Sequence, residues 1–468
     1  MNRNWFLLLG VIVTLLGGCT LAPQYRRPAS PVPANWPTGA AYNETKTAAS
    51  AATVPALPWR EFFTDERLQK IIGIALNNNR DLRLAALNVE KARALYGIQR
   101  AELLPTVNAV GSGTIERVPA DLSTTGSAMT AEQYSVNLGI SSWEIDFFGR
   151  IRSLKDRALE EYIATDQARR SAQIMLVSAV ANAYLTLAAD RENLKLVAST
   201  LETQEASYKL IWKRYDVGLA SELDLRRAQS QVDAARGDVA RYTQLAAQDE
   251  NVLNLLVGSP MPRALLPAEL GSVSHPKEIS PGLSSELLLQ RPDVLAAEHQ
   301  LKAVNANIGA ARAAFFPRIS LTTAIGTASA DLSGLFKSGQ GTWSFAPQII
   351  IPIFDARTWS AYDVTKVERE ISVAQYEKVI QTAFREVADA LAVRGTVNQQ
   401  IAAQQSLVNA VAETYRLSNA RYIKGIDSYL SVLDAQRSLY AAQQGLIALH
   451  LFRFTNLVTL YKVLGGGA

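Results

Sequence analysis

The chain contains an internal duplication, and this repeat limits the folds that are open to it. Nine residues recur with the same identities 207 positions later: Tyr208, Leu210, Arg214, Tyr215, Gly218, Ser221, Leu223, Ala228 and Gln229 return as Tyr415, Leu417, Arg421, Tyr422, Gly425, Ser428, Leu430, Ala435 and Gln436. A repeat of this length is a whole structural unit rather than a short solenoid module. Each copy is too elongated to enclose a core by itself.

The duplication divides the chain into segments. We expect a signal peptide at 1–18, a lipid-anchored extended segment at 19–58, a first repeat at 59–258, a linker at 259–282, a second repeat at 283–465 and a tail at 466–468. Each repeat is predicted to contain a helix, two β-strands, a long helix and a shorter return helix.

Charge and hydropathy exclude some function classes. The 468 residues include 47 basic and 43 acidic side chains, and no basic block stands out. A nucleic-acid partner is therefore not implied. No interior segment reaches the roughly 20 apolar residues of a membrane-spanning helix.

The N-terminus predicts export and lipidation. A positive start, an apolar run and small residues before the only cysteine, Cys19, are typical of a secretory signal. The sequence Leu16-Gly17-Gly18-Cys19 resembles a bacterial lipobox, in which the cysteine becomes the lipidated (palmitoylated) first residue. By the same resemblance, the absence of Asp after Cys19 favours the outer membrane.

Proline leaves two long stretches free for helices. None lies between Pro119 and Pro260, and none follows Pro352; proline breaks helix interiors. Large side chains recur there every seven residues, at Leu187, Leu194, Leu201, Tyr208 and Tyr215, and Gln204 interrupts the companion row of Val197 and Ile211. The predicted helices are 68–104, 151–215, 223–257, 293–316, 361–422 and 430–464. The longest span roughly 100 Å.

Strand candidates lie between the first helix and the long helix of each copy. Segments 105–117, 134–142, 317–327 and 343–353 are predicted as strands, most of them by clear alternation of apolar and polar residues. This pattern is typical of transmembrane β-strands of about ten residues and also of a half-buried soluble sheet. Four strands cannot close a barrel, and open edges cannot face lipid. A trimer would supply twelve strands.

Several motifs resemble one family, the outer-membrane factors of tripartite efflux pumps, in the lipidated OprM-like branch of the TolC superfamily. They are Trp59-Arg60-Glu61-Phe62-Phe63, Asn79-Arg80-Asp81-Leu82-Arg83, Asp146-Phe147-Phe148-Gly149-Arg150, Gln290-Arg291-Pro292-Asp293, Leu433-Asp434-Ala435-Gln436 and the run from Asn305 to Pro317. The resemblance implies an α+β membrane protein: a TolC-like homotrimer with a 12-stranded β-barrel, a long periplasmic α-helical barrel and a mixed equatorial domain. Its implied partners are a periplasmic adaptor (membrane fusion protein), an inner-membrane RND-type transporter and outer-membrane lipid.

Two helix-to-helix turns form the predicted periplasmic tip. Glycine ends helices readily in the left-handed conformation, and serine caps the helix that follows. By resemblance, the tip receives the adaptor through Gly218, Leu219, Ala220, Ser221, Gly425, Ile426, Asp427 and Ser428. The substitution of Ile426-Asp427 for Leu219-Ala220 predicts two non-equivalent adaptor grooves.

The last helix carries the predicted periplasmic gate. Leu430, Asp434 and Arg437 fall on the face opposite Val432, Ala435 and Leu439. Three copies of Leu430 would form an apolar constriction and three of Asp434 an acidic ring; a solvated helix face is the alternative. Arg437 is a local partner for Asp434. Asp224, Arg421 and Tyr422 are expected to tie neighbouring helices near the gate. Because TolC has a basic residue where this chain has Asp427, a TolC-like tie through that position is not expected.

We expect a passive exit duct for drugs and other small toxic compounds, opened at its tip by the adaptor. No enzymatic constellation, metal site or cofactor is predicted: the three histidines show no ligand spacing. Three alternatives remain open. They are a protein-secretion conduit, a metal-ion exporter and a non-conducting structural lipoprotein.

Overall fold

The computed structural model describes residues 20–42, 57–279 and 284–466. Its helices and strands run in the order α1 (Trp59–Phe62), α2 (Glu66–Asn78), α3 (Arg80–Ala101), β1 (Val107–Val118), β2 (Met129–Ile145), α4 (Arg150–Asp216), α5 (Glu222–Val257), α6 (Pro292–Ala313), β3 (Arg318–Ser329), β4 (Gly341–Ile350), α7 (Ala356–Ile423) and α8 (Tyr429–Val463). The succession of helix, two strands, long helix and return helix occurs twice, so the repeat in sequence is also a repeat in structure.

One compact unit, Asn88–Thr165 and Ala296–Tyr376 with residues 20–29, contains the sheet. The four strands are antiparallel in the order β1-β2-β3-β4. One row of directly opposed residues crosses all four: Ala109, Leu138, Ile325 and Trp343. Opposed residues share a face, and Leu138, Ile325 and Trp343 are all exposed. One face of the sheet is therefore apolar and uncovered in the single chain.

Glycines allow the two middle strands to approach closely. A β-carbon on Gly326 would collide with the Val136 carbonyl oxygen, and one on Gly139 with that of Thr323. The register shifts between Ile140 and Trp143, where β2 bulges. The strand β4 ends at Ile350, three residues earlier than predicted and two residues before Pro352.

The other unit, Ser30–Leu87, Asp166–Leu295 and Glu377–Ala468, is helical in its ordered elements. Helix α2 buries Leu68, Ile71, Ile72 and Ala75, the i, i+3, i+4, i+7 spacing of an amphipathic helix. Elsewhere in this unit Phe62 stacks on Tyr461 with ring centroids 4.2 Å apart. Apolar helix faces therefore build this core.

The predicted helix 68–104 is wrong as one element, because it breaks at Asn79. The Asn79 backbone is extended, with φ −61° and ψ 131°. Its side-chain oxygen accepts from the Leu82 amide at 2.8 Å, and its nitrogen donates to the Leu256 carbonyl, also at 2.8 Å. Asn79 thus caps α3 while it binds the end of α5.

The large side chains that recur every seven residues along α4 do not form its buried row. Of its five large side chains only Leu187 is fully buried, and Tyr215 is exposed. The buried row is instead Val197, Gln204 and Ile211, which includes the polar residue that interrupts the pattern. The companion row packs because it lies on the α4 face that meets α5 and α8.

Helix α4 is long and apolar enough to cross a membrane by length and composition, but 61% of its most apolar window is buried within the protein. Core helices of soluble proteins have the same property. This is therefore weak support for a membrane span.

Candidate functional site

The two helix-to-helix turns have the same backbone structure. Gly218 and Gly425 both have φ of 73°, in the left-handed region. In the first turn the Leu219 amide donates to the Arg214 carbonyl at 2.7 Å, and in the second Ile426 donates to Arg421 at 3.0 Å. With the inner bonds of the two glycines to Tyr215 and Tyr422, each turn is a Schellman motif.

The helices that follow the turns begin differently. The Ser221 hydroxyl accepts from the Asp224 amide at 3.1 Å and donates to the Asp224 carboxylate at 2.7 Å, so it caps α5 as predicted. Ser428 makes no side-chain cap. The start of α8 is closed by the Ser431 amide, which donates to the Ser428 backbone carbonyl at 3.3 Å.

Two of the residues predicted to tie neighbouring helices, Arg421 and Asp224, bind partners within their own turns. Arg421 makes two bonds to Asp427 of its own turn, the longer at 3.1 Å. The hydrogen bonds and the charge of Arg421 hold the pKa of the Asp427 carboxyl below its ordinary value. Asp224 is engaged by Ser221. Arg421 and Asp224 therefore close their own turns, which the sequence pattern could not separate from a tie between helices.

Tyr422, in the second copy of the repeat, contacts a residue of the first copy in the same chain. The guanidinium of Arg214, at the end of α4, lies 5.1 Å from the centre of its ring. The ring of Tyr422 also packs against Tyr429, and the two ring centroids are 5.3 Å apart. Tyr429 packs in a buried cluster below the turns that also contains Ile211, Leu225, Ala228, Val432 and Leu433. Burial raises the pKa of Tyr429 to about 12, aided by Tyr422 and Tyr415, so its hydroxyl stays neutral.

The predicted gate residues share the exposed face of α8. Leu430 is 41% exposed, and Asp434 and Arg437 are also exposed, whereas Val432 and Ala435 are buried. Sequence periodicity places these side chains correctly within the single chain. Their role in a gate remains a prediction.

Arg437 is not the partner of Asp434. Its Nε donates to the side-chain oxygen of Gln231 on α5 at 3.2 Å, because the α5–α8 packing places that amide within its reach. The residues that the structure describes offer the Asp434 carboxylate no ion-pair partner.

Apolar side chains are exposed at both turns. Leu219 is 70% exposed and Ile426 is 58% exposed, and Val217 and Ile423 are similarly uncovered. The second turn differs from the first in its Arg421–Asp427 ion pair. The two turns thus present similar apolar surface and different charge.

Cys19 lies outside the described residues, so its lipidation remains a prediction, but the residues that follow it are held firmly. Glu298 on α6, whose side chain is 3% exposed, accepts from Tyr25 at 3.2 Å and from Nε and Nη2 of Arg27 at 3.1 and 2.8 Å. Further along α6, Asn305 donates to the Pro23 carbonyl and Arg312 to the Leu21 carbonyl.

This contact strip was not predicted, although a signal existed. Glu298, Lys302, Asn305, Gly309 and Arg312 have the i, i+4, i+7, i+11, i+14 spacing of one helix face. A β-carbon on Gly309 would lie 2.7 Å from the Ala22 amide nitrogen. The glycine is needed because the extended segment passes directly over the helix.

A metal-binding cluster of three or more His, Cys, Asp or Glu side chains is absent from the described ranges.

Known proteins of one family are similar to this chain in sequence and in structure. The sequence profile of the family described as outer membrane efflux protein matches residues 71–259 and 283–466, one match to each copy of the repeat. Two Pseudomonas putida relatives, the antibiotic efflux pump outer membrane protein ArpC and the toluene efflux pump outer membrane protein TtgC, are each 51% identical over 463 residues, covering 98% of this chain and 95% of their own. The open-state outer membrane channel MtrE of Neisseria gonorrhoeae, a solved structure, is 38% identical with a TM-score of 0.85, covering 96% of this chain and 98% of that one.

Proposed function

Because this chain belongs to the outer membrane efflux protein family, we propose that three copies form the exit duct of a tripartite efflux pump. The observation that carries the proposal is the sheet, with its uncovered apolar face and strands β1 and β4 each paired on one side within the described chain. Lipid tolerates an apolar face but not unpaired backbone. Neighbouring copies would pair these edges and close a twelve-stranded barrel.

The helices support an assembly as well. Helix α3 has no buried residue along its 22 positions. Since most helix stability in proteins comes from packing of an apolar face, α3 needs neighbours that the single chain does not provide. Other copies of this chain would cover it.

We infer that small toxic organic compounds, including antibiotics and solvents, are the cargo. The relatives ArpC and TtgC are described as parts of an antibiotic and a toluene efflux pump. Deleting the gene should increase susceptibility to antibiotics and toluene, and expression of the chain should restore resistance. Sensitivity to metal salts alone would indicate a metal exporter, and loss of a secreted protein alone a secretion conduit.

We infer that the Asp434 ring is the gate, opened when the adaptor binds. The purified protein in planar bilayers should conduct weakly, and Asp434→Ala should conduct more strongly because the ring no longer constricts the lumen. The matched control is Arg227→Ala, which removes a charge from the equivalent position of the other return helix. Equal conductance of the two variants would contradict the gate, and no current from any of the three proteins would favour a structural lipoprotein.

We infer that the exposed apolar turns dock the periplasmic adaptor. Leu219→Asp should abolish cross-linking of the chain to an adaptor in cells and should impair resistance, because a charge in an apolar contact is costly. Leu122→Asp alters an equally exposed leucine in the β1–β2 connection and should cross-link normally. Normal cross-linking of both variants would place the adaptor elsewhere.

A further inference from the structure

A buried glutamine, Gln204, lies in the middle of the helix packing. Gln204 on α4 is 5% exposed, and its side-chain oxygen has no partner among the described residues. It lies in the buried row between Val197 and Ile211. An unsatisfied buried polar group costs roughly 1–3 kcal/mol, so either the site is strained or something else satisfies the oxygen.

Gln204 lines a small cavity between three helices. The cavity measures about 60 Å³, and helices α4, α5 and α8 all contribute to its wall. Besides Gln204, its polar lining includes Gln231 and Asp238 from α5, and Gln436, Arg437 and Tyr440 from α8. Asp238 and Tyr440 are hydrogen-bonded to each other at 3.1 Å, and Arg437 to Gln231 at 3.2 Å. None of the described residues that line the cavity bonds to the Gln204 oxygen.

The polar groups that line the cavity indicate which ligand it binds. They include both hydrogen-bond donors and acceptors, which suits water, and the positive charge of Arg437 repels a metal cation. A buried water needs roughly 10–15 Å³ and two to four polar partners, and the cavity offers both. We propose that this cavity binds ordered water that donates a hydrogen bond to Gln204. The gate helix α8 then packs against α4 and α5 through this water, and we call this contact the hydrated seam.

The second copy of the repeat does not share the site. Its equivalent of Gln204 is Val411, which is apolar. The equivalent of Asp238 is Gly445, and a β-carbon there would meet the Gln404 side chain, which is itself bonded to the Ala442 carbonyl at 2.8 Å. The hydrated seam therefore occurs once per chain, beside Arg437. Water can exchange partners as helices slide, so the seam would permit movement of α8; this consequence rests on the proposed function.

The first experiment tests the water itself and is independent of gating. Crystals of the full-length protein, grown in rubidium chloride, should show a water peak within hydrogen-bond distance of the Gln204 side-chain oxygen. An empty cavity would overturn the proposal. An anomalous rubidium peak there would replace water by a monovalent cation and would equally refute it.

The second experiment tests the consequence. Gln204→Leu makes the row apolar and removes the group that holds the water, so the thermal midpoint should rise and the conductance of the Asp434→Ala background should fall. Val411→Leu, at the equivalent position of the second copy, should change neither. A lower midpoint with unchanged conductance would contradict the hydrated seam, even if the protein conducts as a duct should.

Discussion

At the scale of single residues, two carboxyl groups that are removed from solvent have pKa values shifted in opposite directions. Glu298 has three donors, Tyr25, Arg27 and Lys302. Burial by itself would raise the pKa of its carboxyl, but the hydrogen bonds and charges of Arg27 and Lys302 outweigh burial, so the pKa is lowered. Asp249 shows the opposite. Burial raises its pKa to about 6, and the neighbouring Asp190 adds to the effect.

Glu298→Gln should loosen the N-terminal segment. The change removes the negative charge that holds Arg27, and hydrogen bonds to charged groups contribute about 1.5–3 kcal/mol each, so we expect a loss of roughly 2 kcal/mol in unfolding free energy. Limited proteolysis within residues 20–30 should accelerate. Glu161→Gln breaks an exposed i, i+4 pair with Arg157, which contributes little, and should cleave at the normal rate. Equal cleavage of both variants would contradict the role of Glu298.

The Asp190–Asp249 pair makes stability depend on pH. A raised carboxyl pKa means that the folded state binds more protons than the unfolded chain between about pH 4 and the folded pKa of about 6. The free energy of unfolding therefore falls as pH rises through that window. Asp249→Asn should raise the thermal midpoint at pH 7 and flatten this dependence. The exposed Asp233→Asn should keep the wild-type profile, and an unchanged profile for Asp249→Asn would refute the assignment.

At the scale of elements, nearby residues in the sequence determine where most helices end, and tertiary contacts add further bonds at some of these ends. The turns at Gly218 and Gly425 obey the Schellman pattern that their glycines predict. Asn79 shows the modification: one side chain caps α3 and also holds the end of α5. The break it causes was not predicted because nothing nearby in sequence reveals the Leu256 carbonyl.

Alanine substitutions at glycine should separate backbone conformation from packing. Gly218→Ala meets no atom within 4 Å but keeps a φ of 73°, so strain alone should destabilise the turn by about 1 kcal/mol. Hydrogen exchange of the Gly218 turn amides should accelerate. Gly237→Ala, also in open space but within α5, should stabilise the protein by roughly 0.5–1 kcal/mol. Slower exchange in Gly218→Ala would be inconsistent with the left-handed turn.

At the scale of the whole molecule, a single chain leaves an apolar sheet face and helix α3 uncovered. The proposed trimer accounts for both, and it places one sheet face against lipid. Phe345 shares that face, since it lies two residues from Trp343 on β4, and Ser344 between them faces the opposite side.

Lysine substitutions at these neighbours test which face meets lipid. Phe345→Lys should reduce the yield of assembled trimer in outer-membrane fractions, because lysine at the bilayer midplane costs about 2–4 kcal/mol. Ser344→Lys, one residue away, should assemble nearly normally. If Ser344→Lys were the more damaging variant, the assignment of the two faces would be reversed.

The sequence by itself determined the repeat, the four strands, the long helices, the glycine turns and the exposure of Leu430 and Asp434, because periodicity and turn chemistry are local properties. Only the tertiary structure decided the partners of side chains, since a partner is set by whichever distant element packs nearby. Arg437 bonds Gln231 rather than Asp434, and Glu298 binds a segment more than 270 positions away. Gln204 shows both levels: the sequence revealed a polar residue in an apolar row, and the packing of three helices determined that it faces a cavity.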